Sequence, residues 1–282
     1  MPLALITGAS TGIGRATALQ LAAGGWDVLA GVRGAAAGEQ LERDAPSGRV
    51  RAITLEVTSP EQVAAAAATV ADAVGASITG GLDALVNNAG IGVGGPIELL
   101  SQDDLRRQFE VNVFAQVAIT QAMLPALRRA SGRIILMSSI GGRVTMAYTA
   151  PYAASKHALE AIGDSLRVEL ASSGITVAII EPGSVATPIW SKNQAEAQEL
   201  QIPQELAPYY GHIPAALEKV LKDTGSRGVP PEQVAATIER ALAAPRMRAR
   251  YVVGRDAAVM LIAKRVLPAH LFDRLAKRML GV

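Results

Sequence analysis

Leu3-Ala4-Leu5-Ile6-Thr7-Gly8-Ala9-Ser10-Thr11-Gly12-Ile13-Gly14 begins as a short apolar run, breaks into glycines, and passes directly into Arg15-Ala16-Thr17-Ala18-Leu19, which has helical spacing. An apolar run of this length bounded by glycine reads as a buried strand, so the stretch predicts strand, glycine turn, helix. Glycines at such a turn let backbone amides approach a pyrophosphate, whose charge the helix N-terminus favours. The same alternation continues outward. Further strands are predicted at Asp27–Val32, Val50–Val57, Leu82–Val86, Arg133–Ser138, Thr176–Ile180 and Arg250–Val253, with the first at Leu3–Thr7. Ala- and Leu-rich helical segments fall between them at Gly14–Ala23, Pro60–Val74, Ser101–Arg129 and Ala153–Ser172. The strands are nearly all apolar rather than alternating, as expected when both faces of a parallel sheet are covered. The pattern predicts an α/β fold, a single doubly wound Rossmann domain with a mostly parallel seven-stranded sheet. It would span residues 1–255, with an irregular substrate loop at 184–229 and a basic amphipathic helical extension at 256–282.

Composition narrows the class. Half of the 282 residues are hydrophobic, 18% are charged and none is cysteine. That excludes disorder, a disulfide framework, thiolate metal sites and a cysteine nucleophile, and no metal site is expected. The start Met1-Pro2-Leu3-Ala4 has no basic leader pattern, and the longest charge-free apolar stretch near the C-terminus, Ala257 to Ala263, is far below the ~20 residues of a membrane span. A cytoplasmic location is expected. Charge is uneven: residues 246–282 hold nine of the 27 basic residues against Asp256 and Asp273, a local +7, while residues 1–245 carry −5. No helix-turn-helix, aromatic-interleaved basic stripe or zinc-ligand spacing accompanies the basic tail, so no nucleic-acid partner is expected. Its apolar positions, including Val259, Ile262, Val266 and Leu271, form an amphipathic pattern broken at Pro268. Such a segment packs on its own domain or a sister subunit, the favoured reading, or makes weak peripheral contact with anionic lipid.

Cofactor choice is read at the end of the second strand. Gly31-Val32-Arg33-Gly34 has no carboxylate to bond a free ribose 2′-hydroxyl, while Arg33 offers a forked cation for a 2′-phosphate, which favours NADP(H) over NAD(H). Farther along, Pro151-Tyr152-Ala153-Ala154-Ser155-Lys156 puts a phenol and an ammonium on one helix face, and Ser139 stands thirteen residues earlier at a strand end. Ligands of open α/β sheets bind outside the carboxyl ends of the strands, so the three can converge there. A phenol of pKa about 10 is a poor base near neutrality. An ammonium at ~4 Å and an effective dielectric near 20 would favour the phenolate by about 4 kcal/mol, up to about three pKa units.

The Gly-x-x-x-Gly-x-Gly spacing of Gly8, Gly12 and Gly14, Asn87-Asn88-Ala89-Gly90, Ser139, Tyr152-x-x-x-Lys156 and Pro182-Gly183-Ser184-Val185-Ala186-Thr187 together resemble the short-chain dehydrogenase/reductase family. Glu181-Pro182-Gly183 looks like its hydroxysteroid and retinol dehydrogenase branch. The resemblance implies an oxidoreductase that interconverts a carbonyl and a secondary alcohol by hydride transfer. It implies Tyr152 as general acid/base, Ser139 as holder of the carbonyl oxygen, Lys156 as partner of both the phenol and the nicotinamide ribose, and Asn112 as proton-relay residue. By the same resemblance the dinucleotide would contact Gly8, Ser10, Thr11, Gly12, Ile13, Gly14, Arg33, Glu56, Val57, Asn88, Ala89, Gly90, Tyr152, Lys156, Pro182, Gly183, Val185 and Thr187. Glu56-Val57 stands where the family has Asp-Val beside the adenine. Ser138, one residue off the spacing to Tyr152, is given a structural role. A homodimer or homotetramer is expected.

The substrate is hinted at by aromatics. Of the ten in the chain, Tyr148, Trp190, Tyr209 and Tyr210 fall in segments flanking the inferred site, as does Met146. This suggests a bulky, mostly apolar compound, steroid-, retinoid- or lipid-like, against Ser139, Met146, Tyr148, Tyr152 and Trp190. Self-packing of the loop explains the same residues equally well. Two other functions fit: a nucleotide-binding regulator without turnover, or an NAD-dependent alcohol dehydrogenase of small substrates. An intact Ser139, Tyr152 and Lys156 set favours the enzyme, since a sensor has no need of a tuned phenol.

Overall fold

The structure is a computed structural model, and it describes residues 1–187, 202–216, 218 and 228–280. Seven strands, β1 (Leu3–Ile6), β2 (Asp27–Val32), β3 (Val50–Thr54), β4 (Ala84–Asn87), β5 (Arg133–Met137), β6 (Thr176–Pro182) and β7 (Arg250–Val253), form one sheet in the order β3-β2-β1-β4-β5-β6-β7. All six pairings are parallel. The order reverses between β1 and β4, and this switch opens a crevice at the carboxyl ends of the strands.

The helices cover both faces. Successive strand residues point to opposite sides, so Leu5 and Leu85 join one core with Ile119, Met123 and Leu159, while Ile6 and Val86 join the other with Leu21, Val234 and Ile238. The first core is closed by α3 (Pro60–Ala73), α5 (Ala115–Ala130) and α6 (Ala150–Glu169); the second by α1 (Gly12–Ala23) and α7 (Pro231–Ala243). Helix α2 (Ala35–Asp44) lies beyond β2, and α4 (Gln102–Phe109) is started by a capping box in which Ser101 and Asp104 satisfy each other's backbone N–H groups.

The continuous helix predicted over Ser101–Arg129 is divided. A π-helical turn at Glu110–Phe114 separates α4 from α5, so Asn112 sits where the helix is widest. In the segment expected to be one irregular insertion, Val185 bridges Val229 and a single helical turn forms at Ala207–Tyr210. The C-terminal extension is two helices, α8 (Arg255–Val266) and α9 (Ala269–Leu280), parted at Pro268. It packs on its own chain through Ala257 and Phe272, both buried, yet Val259, Ile262 and Val266 form an outward stripe on α8 that is 63, 63 and 71% exposed. Among the described residues no helix is long and apolar enough to cross a membrane.

Candidate active site

The first strand–helix turn is built around the absence of side chains. Gly8 adopts φ +65°, and a Cβ there would stand 2.9 Å from Ala89 Cα. A Cβ on Gly14 would stand 2.3 Å from the Gly8 carbonyl oxygen and 2.5 Å from Asn88 Nδ2. Asn88 is why the approach is so close: its Nδ2 donates to the carbonyls of Thr7 and Gly8 at 2.9 and 3.2 Å, while Thr7 Oγ1 accepts from the N–H groups of Asn88 and Ala89, each at 2.9 Å. The ends of β1 and β4 are thereby stapled. Thr11 caps α1 with no side-chain hydrogen bond, leaving the first N–H groups of the helix available to an anion.

From this turn a cavity of about 450 Å³ runs along the crevice to Ser139, Tyr152 and Lys156. Gly8, Ser10, Thr11, Gly12, Ile13, Arg33, Glu56, Val57, Asn88, Ala89, Gly90, Pro182, Gly183, Val185 and Thr187 all line it, so these sequence-identified positions share one continuous wall. Gly14 lies just behind, in contact with the loop backbone. An elongated cavity with a side-chain-free, amide-presenting end fits a dinucleotide lying from Arg33 to Thr187. Arg33 stands 3.9 Å from Glu56 Oε2, with its side chain 70% exposed at the cavity mouth.

At the far end β5 delivers Ser139 and α6 delivers Tyr152 and Lys156. Ser139 Oγ accepts from the Gly141 N–H at 3.1 Å, a bond that starts the 3₁₀ turn Ile140–Gly142, and makes a long 3.4 Å contact to the Pro182 carbonyl. A hydrogen bond with Ser139 also reaches the Tyr152 phenol. Lys156 Nζ donates to the Met137 carbonyl at 2.7 Å and lies 5.8 Å from the Tyr152 ring centre. Burial dominates the electrostatics of both groups. It pushes the Tyr152 phenol above its usual range, with the Ser139 bond opposing. Burial also pulls Lys156 down to about 8, with the Glu160 carboxylate opposing.

Asn112 does not line the cavity; it holds the wall in place. Its Oδ1 accepts from the Ile91 N–H at 2.9 Å and its Nδ2 donates to the Ile91 carbonyl and to Ser155 Oγ at 3.0 and 3.1 Å. Gln108, one helical turn earlier and unnoticed in the sequence, donates to the same carbonyl and the same hydroxyl at 3.1 and 3.3 Å. Ser155 in turn donates to the Tyr152 carbonyl at 2.7 Å, joining the π turn to the helix that carries the phenol. Ser138, given a structural role from sequence, also lines the cavity, as do Ile91 and Arg107, which were not singled out. Met146 and Tyr148 lie in the loop before α6 and are not among the lining residues. Tyr148 has φ +65°, and its carbonyl accepts from the Gly95 N–H at 2.8 Å. Tyr209 is exposed, Tyr210 Oη donates to Glu98 at 2.6 Å, and Trp190 is outside the described residues. Among the described residues there is no cluster able to hold a metal ion.

Residues 2–198 match the short chain dehydrogenase family. The chain is 35% identical over 280 residues to an NADPH-dependent 3-dehydrocapnine reductase of Ornithobacterium rhinotracheale, covering 98% of this chain and 96% of that one. It is 37% identical over 278 residues to mouse retinol dehydrogenase 5, covering 95 and 85%. A short-chain dehydrogenase from Streptomyces avermitilis superposes with a TM-score of 0.77 at 30% identity, over 98% of this chain and 94% of that one.

Proposed function

The chain belongs to the short chain dehydrogenase family, an NAD(P)-dependent oxidoreductase family, and from that premise we propose that it uses NADP(H) to interconvert a bulky, mostly apolar carbonyl compound and its secondary alcohol. The observation that carries this reading is the convergence of Ser139, Tyr152 and Lys156 on one end of a cavity whose other end is the glycine loop. The NADPH dependence of one relative and the retinol named for another support the choice of cofactor and substrate class.

The nicotinamide dinucleotide, when bound, supplies hydride chemistry. Gly8 to Gly14 would hold its pyrophosphate, Arg33 a 2′-phosphate, Glu56 and Val57 its adenine end, Asn88 to Gly90 its centre, and Pro182 to Thr187 its carboxamide end. Ser139, whose hydroxyl donates over a long 3.4 Å contact to the Pro182 carbonyl and can turn from it, holds the substrate oxygen. Tyr152 donates its proton to that oxygen in reduction and takes it back in oxidation. Because burial keeps the phenol protonated across neutral pH, the free protein is prepared for the reductive direction. Lys156 holds the ribose and its positive charge favours the phenolate form of Tyr152, while Asn112 and Gln108 fix the wall at Ile91. We further read the chain as cytoplasmic and homo-oligomeric, with a sister subunit covering Val259, Ile262 and Val266.

The test is a titration with NADPH and NADH, followed by a panel of steroid, retinoid, fatty and small polar carbonyls. Tighter NADPH binding with turnover of the apolar members is expected. Turnover confined to small polar compounds discards the substrate class, preference for NADH discards Arg33 as selector, and binding without any turnover leaves the regulator.

A further inference from the structure

Ser139 stands just past the point where the sheet stops holding its chain. The register of β5 on β6 ends with Met137 opposite Ile180, and the Ser138 N–H donates to the Ile180 carbonyl at 2.9 Å. Two residues on, Pro182 has no N–H with which to continue the ladder. Its carbonyl is met instead by the Ser139 hydroxyl, at 3.4 Å. The chain then folds into the Ile140–Gly142 turn, whose Gly142 N–H returns to the Ser139 carbonyl at 2.9 Å. The place of the hydroxyl is therefore set by this turn. Its glycines lie close to α6: a Cβ on Gly141 would stand 3.0 Å from Tyr152 Cε1, and one on Gly142 would stand 3.1 Å from the Lys156 carbonyl. Such contacts limit how near the turn can come, but they carry no directional bond.

The directional bond comes from Arg143, the residue that closes the turn. Its Nη1 donates to Glu181 Oε1 at 3.1 Å, and Glu181 is fully buried on β6 beside Pro182. Glu181 is itself fixed, because Arg250 Nε of β7 lies 3.2 Å from the same oxygen while donating to Glu160 Oε2 of α6 at 3.0 Å. Among the described residues, two side-chain bonds thus tie the turn to β6: Ser139 to Pro182, and Arg143 to Glu181. The first is released when the Ser139 hydroxyl turns to a substrate oxygen; the second stays. We propose that Arg143, through Glu181, is a positioning residue that keeps Ser139 aimed into the cavity once its hydroxyl has left Pro182. The proposal rests on the reading that Ser139 holds the substrate oxygen. Magnitudes separate this role from general support of the fold. Without Arg143, Glu181 keeps Arg250, so no buried carboxylate is stranded, and the Arg143 side chain is 44% exposed. Stability should suffer little, whereas a reacting group misplaced by about 1 Å loses on the order of 100-fold in rate.

The experiment is a double-mutant cycle with Ser139, run on the full chain with NADPH and a carbonyl that the wild type reduces. Arg143→Ala alone should lower kcat and kcat/KM together by about 10- to 100-fold, with the NADPH Kd within about twofold. Its thermal midpoint should fall by only a few degrees. In a Ser139→Ala background the same change should cost no more than about twofold, because the hydroxyl it positions is gone. An equal loss in both backgrounds, or no loss in either, overturns the proposal. Should Arg143→Ala fail to fold, Arg143→Met keeps the stem and carries the same cycle. A wild type that reduces no carbonyl would sink the functional reading, and the turn is then tested without turnover. In protein with isotope-labelled tyrosine, the Tyr152 ring signal is one of five and is identified by its loss in Tyr152→Phe. It should shift in Arg143→Ala as Gly141 moves against the ring, and an unmoved signal overturns the proposal.

Discussion

Arg33 is the residue whose removal most sharply separates one nucleotide from the other. Its guanidinium follows β2 at the cavity mouth, 70% exposed, and its ion-pair partner among the described residues, Glu56, is 3.9 Å away and itself partly exposed. An exposed pair of this kind contributes about 0–1 kcal/mol, so Arg33→Ala should leave the thermal midpoint within a degree or two. Against a phosphate the same fork makes charge-assisted hydrogen bonds of about 1.5–3 kcal/mol, which is roughly 10- to 150-fold in Kd. Titration by nicotinamide fluorescence should therefore show NADPH weakened by that factor in Arg33→Ala and NADH unchanged within about twofold. Arg33→Asp should go further, since a carboxylate repels the phosphate and can bond a free 2′-hydroxyl, reversing the preference. The gap between the two nucleotides should narrow as salt is raised, because the contact is open to solvent. Equal weakening of both nucleotides, or of neither, would refute Arg33 as the selector.

Four other outcomes are expected. Tyr152→Phe should lower turnover by about 10²- to 10⁴-fold while NADPH binding stays within a few-fold; steady-state rates beside a binding titration check it, and retained activity removes Tyr152 from the chemistry. Raising pH through 8 strips Lys156 of its proton, so nucleotide affinity should fall above that point in a pH series of titrations. Stability moves the other way: between pH 8 and 10.5 the unfolded chain holds more proton on this lysine than the folded one, so its contribution to stability rises with pH, and denaturant midpoints of wild type and Lys156→Met should converge there. Gly14→Ala must push the Gly8 carbonyl or Asn88 aside and should cost at least about tenfold in nucleotide affinity. Gly75→Ala, where a Cβ meets nothing within 4 Å, is the matched control.

The parts legible in sequence were those whose physics is local. All seven strands stand where apolar, β-branched runs predicted them, because strands buried on both faces read as near-continuous apolar runs, the polar exceptions such as Arg51 and Arg250 falling on the edge strands β3 and β7. The glycine turn, Ser139 and the Tyr152–Lys156 pair were legible because each is a short motif with a fixed neighbour. Helix α2 was not, since Ala35 to Asp44 offers Leu41 as its one buried large side chain and so no stripe to detect. The π turn was invisible because one extra residue per turn leaves no mark on composition. Helical spacing gives the face that Tyr152 and Lys156 share, but not that the ammonium bonds the Met137 carbonyl, which is set by the end of β5. Gln108, Ser155 and Glu160 matter through contacts across 47, 43 and 90 positions of chain, which no local pattern encodes.

Asp256 gives the motif-free tail a stake in the crevice. It opens α8, accepts from the Ser184 N–H at 2.7 Å, and fills the space a Cβ on Gly183 would need. The segment that faces the nicotinamide end of the cavity is therefore latched from the far side by the first turn of the C-terminal extension. Shortening the protein after Val253 would unlatch it, and the damage would surface as a nucleotide that exchanges too readily, far from the cut that caused it.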